Sequence, residues 1–263
     1  MNRSVLVILV SLICSVTLAA DIIVYGVEDI GCKDTRLFEL NITTCWYEEI
    51  GCLHHGTDVE AISWMGSQIV GYRGENGHQQ KFLELDFDTG LLNVINNSPY
   101  TGPGCPEARG MATDGIGTLW AFMAGDGFGT IDAVGDFTLL IPCSEHIEGL
   151  AVNLSGTTLY GVRKNGMLFE IDIASGLIQQ ITDFGNIHIE CLEMVNDNEV
   201  AFFTNERCCL VYHVYNIVTE QLDSTVLSGV HLNDVEGFVF ESPWNHLEMT
   251  TWAGIKILHA ESR

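Results

Sequence analysis

Short apolar runs, broken by Gly, Asn and Asp, recur along the whole chain. Val24-Tyr25-Gly26-Val27 leads to Leu37-Phe38-Glu39-Leu40. Ile69-Val70-Gly71-Tyr72 leads to Phe82-Leu83-Glu84-Leu85-Asp86 and the turn Asp88-Thr89-Gly90; Leu159-Tyr160-Gly161-Val162 leads to Leu168-Phe169-Glu170-Ile171-Asp172 and Ala174-Ser175-Gly176. A further run follows each of these two glycines (Leu91 to Ile95, Leu177 to Ile181), and another precedes the pair, as in Glu148-Gly149-Leu150-Ala151-Val152. No window sustains apolar residues at three- and four-residue spacing, so helices are not predicted. The β-branched and aromatic runs between turn residues predict units of four short strands.

The first strand of a unit carries a second regularity. Glutamate follows Val or Ile in Val59-Glu60, Ile147-Glu148, Ile189-Glu190 and Val235-Glu236, and aligning Gly110-Met111 with Gly149-Leu150 puts Arg109 at the same place in one more unit. Starts at 60, 109, 148, 190 and 236 are 39 to 49 residues apart, which brackets the ~40–45-residue period of four-stranded propeller blades. Radial closure also removes the exposed sheet edges that such strands would leave. The fold class expected is therefore an all-β propeller. Counting second-type strands, with Leu247 to Trp252 and Ile255 to Ala260 at the end of the chain, favours six blades. The alternative is five, with Val235 to Phe240 serving as the innermost strand of the N-terminal blade.

The best-formed unit, residues 148–176, resembles a group of secreted propellers with units of the form Glu-Gly-Leu-Ala, Leu-Tyr-Gly-Val, Leu-Phe-Glu-Ile-Asp and Ser-Gly. The glutamate that begins an inner strand is also similar to the metal-ligating glutamate of gluconolactonase- and paraoxonase-like propellers. That resemblance implies a metal-dependent hydrolase of the lactonase or esterase type, with Glu60, Glu148, Glu190 or Glu236 as the ligand carried over. The asparagine and aspartate ligands of those families have no matching positions here, and their sites are asymmetric where this pattern repeats. Propellers host many functions, so the likeness bears on fold more than on activity.

Met1 to Ala20 reads as a secretory signal peptide: one positive charge, the apolar run Val5 to Cys14, and a small-residue exit. Residues 21–263 are then one exported domain, with an extracellular location expected. Eight cysteines remain after Cys14 is removed (32, 45, 52, 105, 143, 191, 208 and 209), an even number that suggests disulfides in that compartment. Cys32, Cys45 and Cys52 are close enough in sequence for a local bridge, and Cys208-Cys209 is adjacent. Asn41-Ile42-Thr43, Asn96-Asn97-Ser98 and Asn153-Leu154-Ser155 have the form of glycan acceptors. The formal charge of −24 disfavours nucleic acid and anionic lipid as partners, and no later run is long enough to span a membrane.

No Gly-x-Ser-x-Gly elbow and no His-Glu-x-x-His occurs, and Gly125-Asp126-Gly127-Phe128-Gly129 precedes no helical pattern, so a phosphate loop is not expected. Chemistry, if any, falls to the repeated carboxylates. In a propeller the inner strands line the channel, and Glu60, Glu148, Glu190 and Glu236 would face one another at one mouth. Such carboxylates do not all ionise in a partly dry site without an offsetting group. Arg109 is one answer, a ring neutralised from within. A divalent cation is the other: Ca²⁺ with oxygen ligands, or Zn²⁺, Mn²⁺ or Fe²⁺ if His55, His146, His188 or His231 joins as ligand, outer partner or general base. Without a catalytic motif, the reading is a binding module that takes a protein, glycan or small molecule at the channel mouth, with Ca²⁺ or another divalent metal as its cofactor.

Overall fold

A computed structural model describes residues 21–31, 33–74, 80–97, 107–206, 209–232 and 234–241. The segment expected to be a signal peptide with its Cys14, together with Cys32, Cys105, Cys208, Ser98, Trp244, Trp252 and the two runs expected after residue 246, lies outside them. The described strands, in chain order, are β1 (Ile23–Asp29), β2 (Thr35–Asn41), β3 (Trp46–His54), β4 (Val59–Met65), β5 (Gln68–Arg73), β6 (Lys81–Asp86), β7 (Leu91–Asn96), β8 (Ala108–Thr113), β9 (Leu119–Met123), β10 (Gly127–Ile131) and β11 (Phe137–Pro142). They continue as β12 (Gly149–Val152), β13 (Thr158–Val162), β14 (Met167–Asp172), β15 (Ile178–Asp183), β16 (Glu193–Asn196), β17 (Glu199–Glu206), β18 (Cys209–Asn216), β19 (Gln221–Leu227) and β20 (Val235–Phe240).

These strands form five antiparallel sheets of four, a five-bladed propeller. Six blades, the first expectation, is therefore corrected to the alternative. The reason is the closure. The N-terminal blade begins at its second strand, and β20 returns to complete it, pairing Val24 with Phe240 and Gly26 with Phe238. Without β20, the backbone groups of β1 would form an open edge. Ring contacts continue from Phe203 to Phe238, edge to face at 4.8 Å, which seals the last blade against the first.

Burial follows position in the blade. The second strand β9, Leu-Trp-Ala-Phe-Met, is buried throughout because neighbouring blades cover both faces. The outermost strands β3, β7 and β11 are largely exposed. The core lies between blades: Phe122, Phe128 and Ile147 pack with Leu159 and Ile171 across one interface, and Tyr72, Phe82, Met111 and Met123 across the next. Among the described residues no helix is long and apolar enough to cross a membrane.

The turn between the third and fourth strands is the same device in four blades. The Oδ1 of Asp86 accepts the N–H of Asp88 and Thr89, that of Asp172 accepts Ser175, that of Asn216 accepts Val218 and Thr219, and that of Asn41 accepts Thr44. Each turn ends at positive φ, on Gly90, Gly176, Glu220 and Cys45 respectively. Such side chains hold the backbone locally, as the sequence reading of Asp86 and Asp172 anticipates. Asn41 is buried, so a glycan there would dismantle its turn. Asn153 is likewise engaged, its Oδ1 accepting the N–H of Thr157 and Thr158.

Cys45, Cys52, Cys143 and Cys191 are thiols. A bridge between Cys45 and Cys52 is ruled out by geometry: they stand at the turn and far along β3, about 20 Å apart at the rise of an extended chain.

The inner strands approach closely, and this selects the residue after each ring position: Ala61, Gly110, Gly149, Cys191 and Gly237. A Cβ on Gly149 would lie 2.8 Å from the backbone of Cys191 and Leu192, and one on Gly110 would lie 2.7 Å from the Leu150 Cβ. Gly149→Ala is therefore expected to lower stability by about 1–3 kcal/mol, more than the ~0.4–1 kcal/mol that stiffening the unfolded chain returns. A urea midpoint equal to or above that of the unaltered protein would contradict this account.

Candidate functional site

The five ring positions gather at one mouth of the channel, as the repeat predicts. In three blades a β-bulge places them there. Pairing of β4 with β5 passes from Val59 to Ala61, that of β8 with β9 from Ala108 to Gly110, and that of β20 with β1 from Val235 to Gly237. Glu60, Arg109 and Glu236 are thus the unpaired extra residues. A bulge breaks strict in-and-out alternation and re-aims one side chain. In the remaining blades the residue stands before its strand, where Glu148 donates its N–H to Val162 O at 2.8 Å and Ile189 donates to Lys164 O beside Glu190.

Arg109 divides the ring. Its Nη1 donates to both carboxylate oxygens of Glu148 at 2.6 Å, and its Nη2 donates to Glu107 Oε2 at 2.6 Å. Burial opposes the guanidinium charge, but the hydrogen bonds and charges of Glu148 and Glu107 outweigh it and hold the group firmly protonated. Glu107 was not among the residues singled out by the repeat. It lies just before β8, two positions from Arg109, and the bulge that re-aims Arg109 lets the guanidinium reach back to it.

The other half of the ring keeps an excess of acid. Burial pushes Glu60 up to about 8, helped by the charges of Asp58 and Glu107 and opposed by Arg109. Burial pushes Glu236 up to about 10, with Glu190, Glu60 and Asp234 adding repulsion. Asp234 rises to about 8 through burial and its hydrogen bond to Glu190. Glu190 goes the other way: burial would raise it, but hydrogen bonds with Asp234 and Lys164 and the charge of His188 hold it below the ordinary range. Asp234 and Glu190 are therefore a hydrogen-bonded carboxyl pair in which Asp234 is pushed up and Glu190 is held down.

The base next to Glu190 is Lys164, whose Nζ donates to Glu190 Oε1 and whose side chain is 52% exposed. It comes from the β13–β14 turn of the preceding blade. No sequence signal marked it, since only blade-to-blade packing brings residue 164 to residue 190. Between the walls the channel narrows to a void of about 10 Å³ that Arg109, Glu190 and Glu236 all line, the size of a single water.

The histidines separate. His188 Nε2 lies 3.1 Å from Glu190 Oε1, and His146 Nδ1 lies 3.5 Å from Glu148 Oε1; both belong to the ring. His55 does not, because its Nδ1 meets Asp34 Oδ2 at 2.8 Å while Asp34 also accepts the N–H of Gly56. His231 is exposed, five residues before Glu236. Ligand atoms of His188, Glu190 and Asp234 all lie within 4.8 Å of one another. Glu148 offers no such opening, because Arg109 occupies both its oxygens.

No family model matches the chain, and no curated protein matches it. Among solved structures, a protein of unknown function from Bacteroides thetaiotaomicron is similar at 12% identity over 64% of this chain and 50% of that one, with a TM-score of 0.47. Kuenenia stuttgartiensis hydrazine synthase is similar at 15% identity over 66% of this chain and 49% of that one, with a TM-score of 0.41. The chain thus spans about half the length of each. Likenesses this distant assign no activity.

Proposed function

We propose that this protein is an exported propeller binding module whose acidic channel mouth takes a divalent cation at Asp234, Glu190 and His188, with Glu236 and Glu60 as neighbouring carboxylates. The observation that carries the reading is the division of the ring. Arg109 is spent on Glu148 and Glu107, while the donor atoms of His188, Glu190 and Asp234 cluster on the side it does not satisfy. A cation there would offset the burial and mutual repulsion that push Asp234 and Glu236 up. Lys164 is the competitor, and its exposed, flexible stem can swing from Glu190 into solvent. Two carboxylates suit Ca²⁺, which exported modules bind at high ambient levels; the imidazole favours Mn²⁺ or Zn²⁺. The loaded mouth would then present a protein, glycan or small-molecule ligand with a fixed charge.

Protein purified without chelator should carry about one divalent ion per chain, and Asp234→Asn should lose it. Metal-free protein whose melting temperature is unchanged by Ca²⁺, Mn²⁺ or Zn²⁺ would defeat this reading.

A second reading, a metal-dependent hydrolase of the lactonase or esterase type, is favoured by one observation. Asp234, pushed up by burial, is hydrogen-bonded to Glu190, which is held down beside His188, a pairing suited to acid and base roles. Turnover of a chromogenic lactone or ester that is lost in Asp234→Asn would support it. Absence of turnover in the metal-loaded protein leaves the binding module.

A further inference from the structure

The opposite mouth of the channel holds a second cavity. β4, β8 and β12, which start at the acidic ring, end here, and β16 starts here; Ser63, Trp64, Thr113, Val152, Glu193 and Met194 line a space of about 50 Å³. Its lining is mostly apolar. Nearly every polar side chain on the wall is occupied. Ser63 Oγ and Thr113 Oγ1 lie 2.9 Å apart, and Thr113 also donates to Trp64 O. Trp64 Nε1 donates to Phe240 O at 2.9 Å, which holds the indole in place. Asp114 accepts the N–H groups of Ile116 and Thr118 and the indole N–H of Trp120.

Glu193 is the exception. Its carboxyl takes one weak hydrogen bond, from the adjacent Met194 N–H at 3.3 Å. Burial pushes it up to about 8. Glu193 is partly exposed, and a carboxyl in an apolar recess with so little local support leaves part of its desolvation penalty uncompensated. A ligand that supplies a positive hydrogen-bond donor and an apolar body would relieve it.

We propose that this cavity binds the ammonium head and short apolar stem of a small organic amine, with Glu193 as counter-ion and Trp64, Val152 and Met194 around the stem. A divalent cation is disfavoured, because it wants six or more oxygen ligands at close range and Ser63, Thr113 and Asp114 are already committed. An anion is excluded by Glu193 and Asp114 together. The indole adds attraction for a cation, and the −24 charge of the chain concentrates cations at its surface. This site is independent of the acidic ring and does not rest on the function proposed for it.

The test compares n-butylammonium with 1-butanol, titrated into the full chain at physiological ionic strength and followed by calorimetry and tryptophan fluorescence. The amine is expected to bind at least about tenfold more tightly than the alcohol, the size of one charge-assisted hydrogen bond. Glu193→Gln should remove that preference, and Glu84→Gln on the blade surface should leave it. Equal binding of amine and alcohol by the unaltered protein, or no binding of either, overturns the proposal without recourse to a variant. Retention of the preference in folded Glu193→Gln overturns it as well.

Discussion

Arg109→Leu destabilises the propeller by about 3–5 kcal/mol, the range for breaking a buried ion pair from one side. The arginine side chain is 24% exposed and its partners Glu148 and Glu107 are 8% and 12% exposed, so water recovers little of what is lost. The two carboxylates that Arg109 now bridges would be left with no cation between them. Glu60, which Arg109 helps to ionise, would bind its proton more firmly. The loss should be read as a fall in urea midpoint at neutral pH. It should shrink on acidification, which protonates the orphaned carboxylates, and Arg109→Lys should restore part of it through the charge alone. A midpoint within ~0.5 kcal/mol of the unaltered protein, the scale of ordinary surface substitutions, would show that the Arg109 network contributes nothing to holding the ring.

Raising the pH from 7 to 9 in chelator should lower stability, and a divalent ion should reverse the loss. The sign follows from the protons bound. Glu60 and Asp234 are held near 8 and Glu236 near 10, whereas in the unfolded chain carboxyls titrate near 4. The folded state therefore binds more protons above that value, and stability falls as pH rises toward the folded values. Discounted for the partial exposure of these side chains, the slope is on the order of 1 kcal/mol per pH unit.

His213 acts with the opposite sign at lower pH. Burial pushes it down to about 4, with Thr204 and Ser224 on its two ring nitrogens, so it takes stability away as pH falls below about 6.5. The window from 7 to 9 lies above that range. Thermal melts in chelator that are flat or rise across it would contradict the protonated ring. Glu193, pushed up to about 8, acts with the same sign in this window, so the fall belongs to the ring where it persists in Glu193→Gln, and a fall that does not recover with Ca²⁺, Mn²⁺ or Zn²⁺ would remove the cation.

Most of the architecture is legible in the chain because its determinants are local. Strand type follows from runs such as Leu159 to Val162, and the turns follow from Asp86, Asp172 and their successors, which bond their own backbone. The ring positions recur because the inner strand repeats in each unit. Blade number was harder. The five ring positions match the five described second strands only once β20 is known to pair with β1, a contact between residues more than two hundred positions apart. The Cys45–Cys52 bridge fails for a related reason: closeness in sequence says little once an extended strand carries two residues apart.

By itself, then, the sequence determined the β class, the blade phase and which side chains form the ring, since period-two alternation and the unit repeat act over short range. The tertiary structure decided which carboxylates are neutralised. Arg109 reaches Glu148 and Glu107, Lys164 crosses from one blade to Glu190 of the next, and burial with mutual repulsion pushes Glu60, Glu236 and Asp234 up. That outcome depends on bulge geometry, side-chain reach and exclusion of water, none of which exists until the blades are packed.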